Sequence, residues 1–440
     1  MSDYATSSDP AVQRQLDRLW SLSPGADTLG LERITRLLDR LGDPQHRLPP
    51  VLHVAGTNGK GSTCAFLRAA IDAAGLAAHV YSSPHLVRFN ERIRVAGTLI
   101  DDGALAALLE EVLDHAGGLD ASFFEVTTAV AFLAFARNPA DACVVEVGLG
   151  GRLDATNVIQ HPLVTGIAQL GIDHQAFLGD SAEGIAAEKA GIAKAGVPLV
   201  TMRYADGVAS RIAEVAAAAA APVKALGVDW FYEVRGDRLD YRDAQGALDT
   251  PLPGLPGPHQ PGNLALAIAM LRHQTQLAIP TTAIETAARC ANWPARMQRL
   301  ADGPLTRRLP AASALWLDGG HNQAAGAAVA TAIADLRGDR PLHLVCGMLA
   351  NKDAAGFLAP LARQASSLTA VPIPGHACHP PAALARTAAA LGLETNVADT
   401  VGDALRRIAD RHDATDPVVL IVGSLYLAGE VLATNGELPN

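Results

Sequence analysis

Val51-Leu-His-Val-Ala55 runs directly into Gly56-Thr-Asn-Gly-Lys60-Gly-Ser-Thr63, and the reading of this stretch decides the fold. The mostly apolar run after Pro49-Pro50 predicts a short buried strand, the glycines a turn, and the residues from about Ser62 to Ala74 a helix. A loop in that position gathers backbone N–H groups at a helix N-terminus, where they favour phosphate oxygens. Lys60 would reach the outer phosphates, and the hydroxyl of Ser62 or Thr63 would face a magnesium ion. The full G-x-x-x-x-G-K-[ST] pattern is not met, because Val54 stands at its first glycine and Gly61 follows the lysine. The loop is a shorter variant. A glycine turn that only reverses the chain is the competing reading, and the strand-to-helix context disfavours it.

Outward from this unit, apolar runs recur at Ala78 to Ser82, Ala142 to Val147, Leu163 to Gln169 and Val197 to Met202, separated by helical or loop-rich sequence. That alternation predicts an α/β fold with a mostly parallel sheet. Upstream, residues 10 to 41 read as two amphipathic helices broken at Ser23-Pro24-Gly25. Downstream, 228 to 250 read as a small β insertion turning at Gly236-Asp237. A second alternating series, with strands at Ala314 to Leu317, Leu342 to Cys346, Leu368 to Ile373 and Val418 to Val422, places a domain boundary near Trp293 to Gly303.

Length and composition agree with two large cores: 440 residues, 49% hydrophobic and 18% charged. A formal net charge of -10 argues against a nucleic-acid surface and for small-molecule partners. The cysteines are Cys64, Cys143, Cys290, Cys346 and Cys378. They contain no C-x-x-C pair, which fits a reducing, cytoplasmic setting rather than a disulfide framework. The first ten residues lack a basic segment followed by an apolar one, and no run approaches about 18 apolar residues, so neither secretion nor a membrane span is expected.

Two further stretches bear on chemistry. In Cys143-Val-Val-Glu146-Val-Gly-Leu-Gly-Gly-Arg152, a carboxylate sits inside an apolar strand, where an ionised group requires a partner. Magnesium beside a nucleotide and an arginine ion pair are both open readings. In Leu170-Gly-Ile-Asp173-His174-Gln175, an acid and a histidine fall at the carboxyl edge of the sheet, where ligands of open α/β sheets collect. Asp180-Ser-Ala-Glu183 reads as a capping box starting a helix that carries Glu188 and Lys189. Taken alone, Lys189 reads as a solvated lysine. His376-Ala-Cys-His379 invites a metal hypothesis but offers no fourth ligand.

Gly56 to Thr63, Ser82-Ser-Pro-His-Leu-Val-Arg-Phe-Asn-Glu-Arg-Ile93, Glu146 to Arg152, Glu188-Lys-Ala-Gly-Ile192, Asp318-Gly-Gly-His-Asn322 and Gly423-Ser-Leu-Tyr426 together resemble the bifunctional dihydrofolate synthase/folylpolyglutamate synthase family of the Mur ligase superfamily. The resemblance runs in order from about residue 29 to 430. It implies a P-loop ATP-binding domain over 1–296, a Rossmann-like glutamate ligase domain over 297–440, and an active site in the cleft between them. ATP would be bound by Gly56, Thr57, Asn58, Gly59, Lys60, Gly61, Ser62, Asn263, Arg296 and Asp318. A first magnesium would be held by Ser83 and Glu146, and a second near His174 and Lys189, with Lys189 carbamylated. The acid substrate would lie on Ser83, Pro84, His85 and Arg88, with Phe124 either stacking on its ring or filling the core. His321 and Ser424 would lie near the incoming glutamate. Ala295 replaces the glycine that usually precedes this arginine, and Gly320 and Gln323 depart from Asp-Gly-Ala-His-Asn-Pro.

The activity so implied is ligation of L-glutamate to dihydropteroate and to reduced folates through an acyl phosphate, by a monomer. Lys60, His174, Lys189, Arg296 and His321 would serve catalysis, His321 by orienting or deprotonating the amine. A monofunctional synthase and a Mur-type ligase of cell-wall nucleotide peptides are the nearest alternatives, and the Ser82 to Arg94 loop argues against the latter. A P-loop regulatory protein is disfavoured by Glu146, His174 and Lys189, since such a switch needs no second metal. Lys60→Ala is expected to abolish turnover and leave the fold intact. Purified variant retaining more than about a tenth of wild-type rate, roughly 1.4 kcal/mol of barrier or less, would show the loop assignment to be wrong.

Overall fold

The computed structural model describes residues 5–22, 29–411 and 416–440; the expected break at Ser23-Pro24-Gly25 and the first four residues lie outside them. The chain forms two compact units, Met1–Gly254 with Gln260–Asn292, and Leu255–His259 with Trp293–Asn440. Each is described by itself.

The first unit is built on eight strands: β1 Val51–Ala55, β2 Ala78–Tyr81, β3 Ile93–Val95, β4 Thr98–Leu99, β5 Ala142–Glu146, β6 Val164–Ile167, β7 Leu199–Thr201 and β8 Val223–Ala225. Their order is β4-β3-β2-β5-β1-β6-β7-β8, parallel except for the β3–β4 hairpin at one edge. Every residue of β1, β2, β5, β6 and β7 is buried, as expected of parallel strands covered on both faces. Helix Phe123–Arg137 is the most deeply buried of the covering helices. Its start is fixed by a capping box in which Ser122 Oγ accepts from Glu125 N at 3.2 Å and Glu125 accepts from Ser122 N at 2.7 Å.

Helix Lys60–Ala73 begins two residues earlier than expected, because Gly59 takes φ 85 and serves as its N-cap. The expected capping box at Asp180 to Glu183 is corrected: helix Ala182–Ala190 is capped by Ser181, which accepts from Gly184 N at 2.9 Å. The solvated reading of Lys189 is overturned as well. The side chain projects inward, and the residue is only 5% exposed.

The insertion is an antiparallel meander, β9 Trp230–Arg235, β10 Arg238–Asp243 and β11 Gly246–Pro251. Asp243, whose side chain is fully buried, ties it to helix Gln260–His273 through a bidentate pair with Arg272 at 2.6 and 2.7 Å.

In the second unit, β12 Gln298–Arg299, β13 Ala314–Leu317, β14 Leu342–Cys346, β15 Ser367–Ala370, β16 Glu394–Val397 and β17 Val418–Val422 run in the order β12-β13-β17-β14-β15-β16. All neighbours are parallel except β12 and β13. The short β12 and the half-exposed β16 carry no apolar run, and for that reason sequence patterning missed them.

Burial alone would raise the Asp243 carboxyl, but hydrogen bonds from Arg272 and Gln245 N hold it below the ordinary carboxylate range. A depressed folded-state value contributes stability above the unfolded value near 3.9 and loses it as pH falls through the folded one. Asp243→Asn is therefore expected to cost about 2 to 3 kcal/mol at pH 7. The difference from wild type should shrink in acid, as read by calorimetric Tm at both pH values.

Candidate active site

Parallel pairing aligns the carboxyl ends of four neighbouring strands in the first unit. Val54 of β1 sits opposite Glu146, the last residue of β5, and Ala55 opposite Ile167 of β6. The segments leaving β2, β5, β1 and β6 therefore emerge side by side, and they carry Ser83, Glu146, the Gly56–Lys60 turn, and Asp173 with His174. Asp173 and His174 follow β6 at the carboxyl edge, where the sequence reading puts them.

The turn is stitched to its neighbour. Thr57 N and Asn58 N both donate to the Gln169 carbonyl at 2.8 and 3.0 Å, and the Thr57 hydroxyl exchanges hydrogen bonds with Gly171 O and N at 3.0 and 3.1 Å. Gly56 and Gly59 are required. A Cβ on Gly56, at φ 151, would lie 2.9 Å from Ala168 Cβ, and one on Gly59 would lie 2.4 Å from Asn263 Oδ1. Asn263 is thereby seated on the turn, donating to Gln260 at 3.0 Å, while Gln260 donates to Ser62 Oγ at 3.3 Å. Lys60 Nζ folds back to the Thr57 carbonyl at 3.4 Å. The first N–H groups of helix Lys60–Ala73 lack acceptors within the helix, so the turn fits a polyphosphate.

Glu146 is 4% exposed, and the buried thiol of Cys64 registers it: burial first, then the Glu146 charge, pushes that thiol up, with Lys60 opposing. Burial pushes the Lys189 amine down to about 7; repulsion from Lys60 adds to this, and Asp173 and Asp154 oppose it. His174 adopts φ 53, a left-handed conformation unusual for a residue other than glycine and of the kind that concentrates at functional sites. Among the described residues no group of three or more His, Cys, Asp and Glu converges. A hydroxyl and a carboxylate give hard oxygen ligands, with an imidazole as a softer nitrogen donor, and suit magnesium only if phosphate oxygens and water complete the shell, so the donor set fits a metal that arrives with a nucleotide.

The Ser82–Ile93 segment leaves β2 through a cis Ser83–Pro84 peptide. It closes on itself, Ser82 N donating to Arg92 O at 3.1 Å, while Glu91 accepts from Leu86, Val87 and Arg88 N at 2.7, 3.0 and 2.7 Å. Burial raises the Glu91 carboxyl against these three bonds. Phe124 is half-buried, its ring 5.9 Å from that of Tyr81 and so close to Gly148 that a Cβ there would meet it at 2.3 Å.

In the second unit, Arg296 lies between Ala295 at φ 56 and Met297 at φ 43. The left-handed geometry that favours glycine is kept with alanine in place. Tertiary hydrogen bonds impose it: Gly319 N donates to Ala295 O at 2.9 Å, Met297 N to Asp318 Oδ2 at 2.9 Å, and Gly320 N to Asp318 Oδ1 at 2.7 Å. His321 Nδ1 lies 3.1 Å from the Gly319 carbonyl, an acceptor, so its Nδ1 carries the proton and Nε2 is the basic nitrogen of the neutral ring. Ser424 caps helix Leu425–Asn435, accepting from Tyr426 N at 3.1 Å. In the His376 to His379 loop the side chains and backbone have other partners, and among the described residues no metal-ligand cluster includes them. His376 stacks on Tyr426 at 4.0 Å, Cys378 bridges Leu349, and His379 Nε2 bonds the Lys352 carbonyl at 2.9 Å.

A family model described as the dihydrofolate synthetase C-terminal domain matches residues 306–434. The folylpolyglutamate synthase of Lacticaseibacillus casei is 33% identical over 424 residues, covering 91% of this chain and 93% of that relative. The chain belongs to the folylpolyglutamate and dihydrofolate synthases. Two solved synthases share the fold. Escherichia coli FolC in complex with DHPP and ADP has a TM-score of 0.86 at 33% identity, covering 97% of this chain and 98% of that one. A bifunctional synthase with Mn, AMPPNP and L-glutamate bound has a TM-score of 0.84 at 31% identity over the same shares. Sequence reading of this synthase missed Gln260, Glu91 and Arg92. The available signal was the adjacent Glu-Arg pair just before a buried strand, and a glutamine one helical turn before Asn263.

Ala295 tests the strain directly. A left-handed residue other than glycine costs about 1 to 2 kcal/mol, offset in Ala295→Gly by a more flexible unfolded chain and a lost buried methyl. Ala295→Gly is expected to leave Tm unchanged or raised by the equivalent of about 1 kcal/mol at most. Ala295→Val, whose branched side chain tolerates this backbone poorly, is expected to lower Tm clearly.

Proposed function

We propose that this synthase joins L-glutamate to dihydropteroate and to reduced folates, consuming ATP and releasing ADP and phosphate. The observation that carries the reading is the row of Ser83, Glu146, the Lys60 turn and His174 along adjacent strand ends, in a chain of this family. It is supported by the molecules bound in the solved relatives, which are ADP, AMPPNP, DHPP, Mn and L-glutamate.

In the reaction, a substrate carboxylate oxygen attacks the γ-phosphorus and the bond to ADP breaks, giving an acyl phosphate. Glutamate's amine then attacks the acyl carbon, loses a proton, and the tetrahedral adduct expels phosphate carrying one original carboxylate oxygen. No protein nucleophile is required. Lys60 and Arg296 neutralise charge on the transferring group. Asn263 takes the adenine side and Asp318 the ribose. Ser83, Pro84, His85, Arg88 and Phe124 receive the pterin-bearing acid. The basic Nε2 of His321 accepts the amine proton, and Ser424 lies near the incoming glutamate. Ser83 and Glu146 would hold one magnesium, and His174 and Lys189 a second, and the metals would supply neutralisation of the phosphate oxygens. Carbamylation of Lys189 would convert a buried amine into an anionic oxygen donor, a reading favoured by its 5% exposure and weakened basicity.

Among the described residues no helix is long and apolar enough to cross a membrane. We assign a cytoplasmic monomer acting on small molecules, a reading supported by the five free cysteines. With a carboxylate fully labelled in oxygen-18, one label is expected in the released phosphate; phosphate free of label would refute the acyl phosphate. Glu146→Gln is expected to raise the magnesium concentration for half-maximal rate, and an unchanged titration would count against its metal role.

A further inference from the structure

Arg92 is 1% exposed, among the largest fully buried side chains of the described residues, and it lies just outside the residues assigned to the acid substrate. Its guanidinium carbon lies 5.4 Å from the ring centroids of both Phe89 and Phe123, two rings set nearly perpendicular to each other. From that seat Nε donates to His85 Nδ1 at 2.8 Å. A guanidinium is donor-only and charged at every accessible pH, so the imidazole can meet it only through an unprotonated Nδ1. The ring proton of His85 then sits on Nε2. The same residue closes the loop at its base, through the bond from Ser82 N to the Arg92 carbonyl. Burial of a cation is costly and is spent here on the orientation and tautomer of one histidine.

We propose that Arg92 is a positioning residue for the pterin-bearing acid, acting through His85 by holding its ring in place as the Nε2–H tautomer. The inference rests on the reading of the Ser82–Ile93 loop as the acid-substrate loop. Arg92→Lys keeps the charge but removes the Nε donor and the planar stack. It is expected to raise KM for the acid by about tenfold, the order of a lost charge-assisted hydrogen bond. KM for ATP and for glutamate should stay within about twofold. In a His85→Ala background the same change should add nothing, because residues acting as one unit are not additive.

Nitrogen-15 NMR of histidine-labelled wild-type protein, with the His85 signals identified by their loss in His85→Ala, is expected to show the proton on Nε2. A proton on Nδ1, fully additive effects in the double variant, or an equal rise in all three KM values would overturn the inference. The NMR result decides alone if Arg92→Lys does not fold. Should His85→Ala itself leave KM for the acid unchanged, the substrate-loop reading falls and this inference with it. A raised KM in His85→Ala with additive double-variant effects defeats the inference only.

Discussion

Parallel pairing of β1 with β5 on one side and β6 on the other is the constraint from which the active site follows. Side chains of adjacent parallel strands advance in step, so three chain segments must leave the sheet at one level. Glu146, at the last paired position of β5, cannot then be far from the turn that follows Val54. The turn gathers hydrogen-bond donors, and the carboxylate is buried. A polyphosphate with its metal fits both. The fold places the charges first, and the chemistry follows from their placement.

The supporting contacts have a common form, in which one acceptor collects two or more backbone amides of the loops around it. Glu91 collects three amides of its own segment, Asp318 collects two from the loops around Arg296, and Gln169 offers one carbonyl to two amides of the nucleotide turn. Loops arranged in this manner lose little entropy when a substrate arrives, because their backbones are already ordered. Catalysis that relies on position and charge rather than on a protein nucleophile demands such order.

Much of this was legible in the sequence. The Val51 to Thr63 stretch fixes strand, turn and helix because apolar periodicity and glycines act locally. The strands of both sheets follow from apolar runs, apart from short or exposed ones such as β16. Less legible were groups whose environment is made by distant segments. Lys189 looks solvated when read along its helix, yet the neighbouring Gly151 comes so close that a Cβ there would meet Lys189 Cα at 2.9 Å. Gln260 gains meaning only against Ser62, almost two hundred residues away in sequence. Arg92 gains its setting only when Phe123, distant in sequence, packs against it. Leu255–His259 joins the second unit although the chain on either side belongs to the first, and the proline- and glycine-rich sequence there signals a break without saying which unit it joins.

The alanine at position 295 carries a broader consequence. Where a loop's shape depends on the intrinsic freedom of one glycine, replacing that glycine deforms the loop. Here the shape survives the replacement, so the instruction for it resides in the neighbours that grip its carbonyl and the next amide but one. Glycine and alanine can therefore both occupy 295 in the same loop shape, so long as Asp318 and the Gly319 amide hold their places.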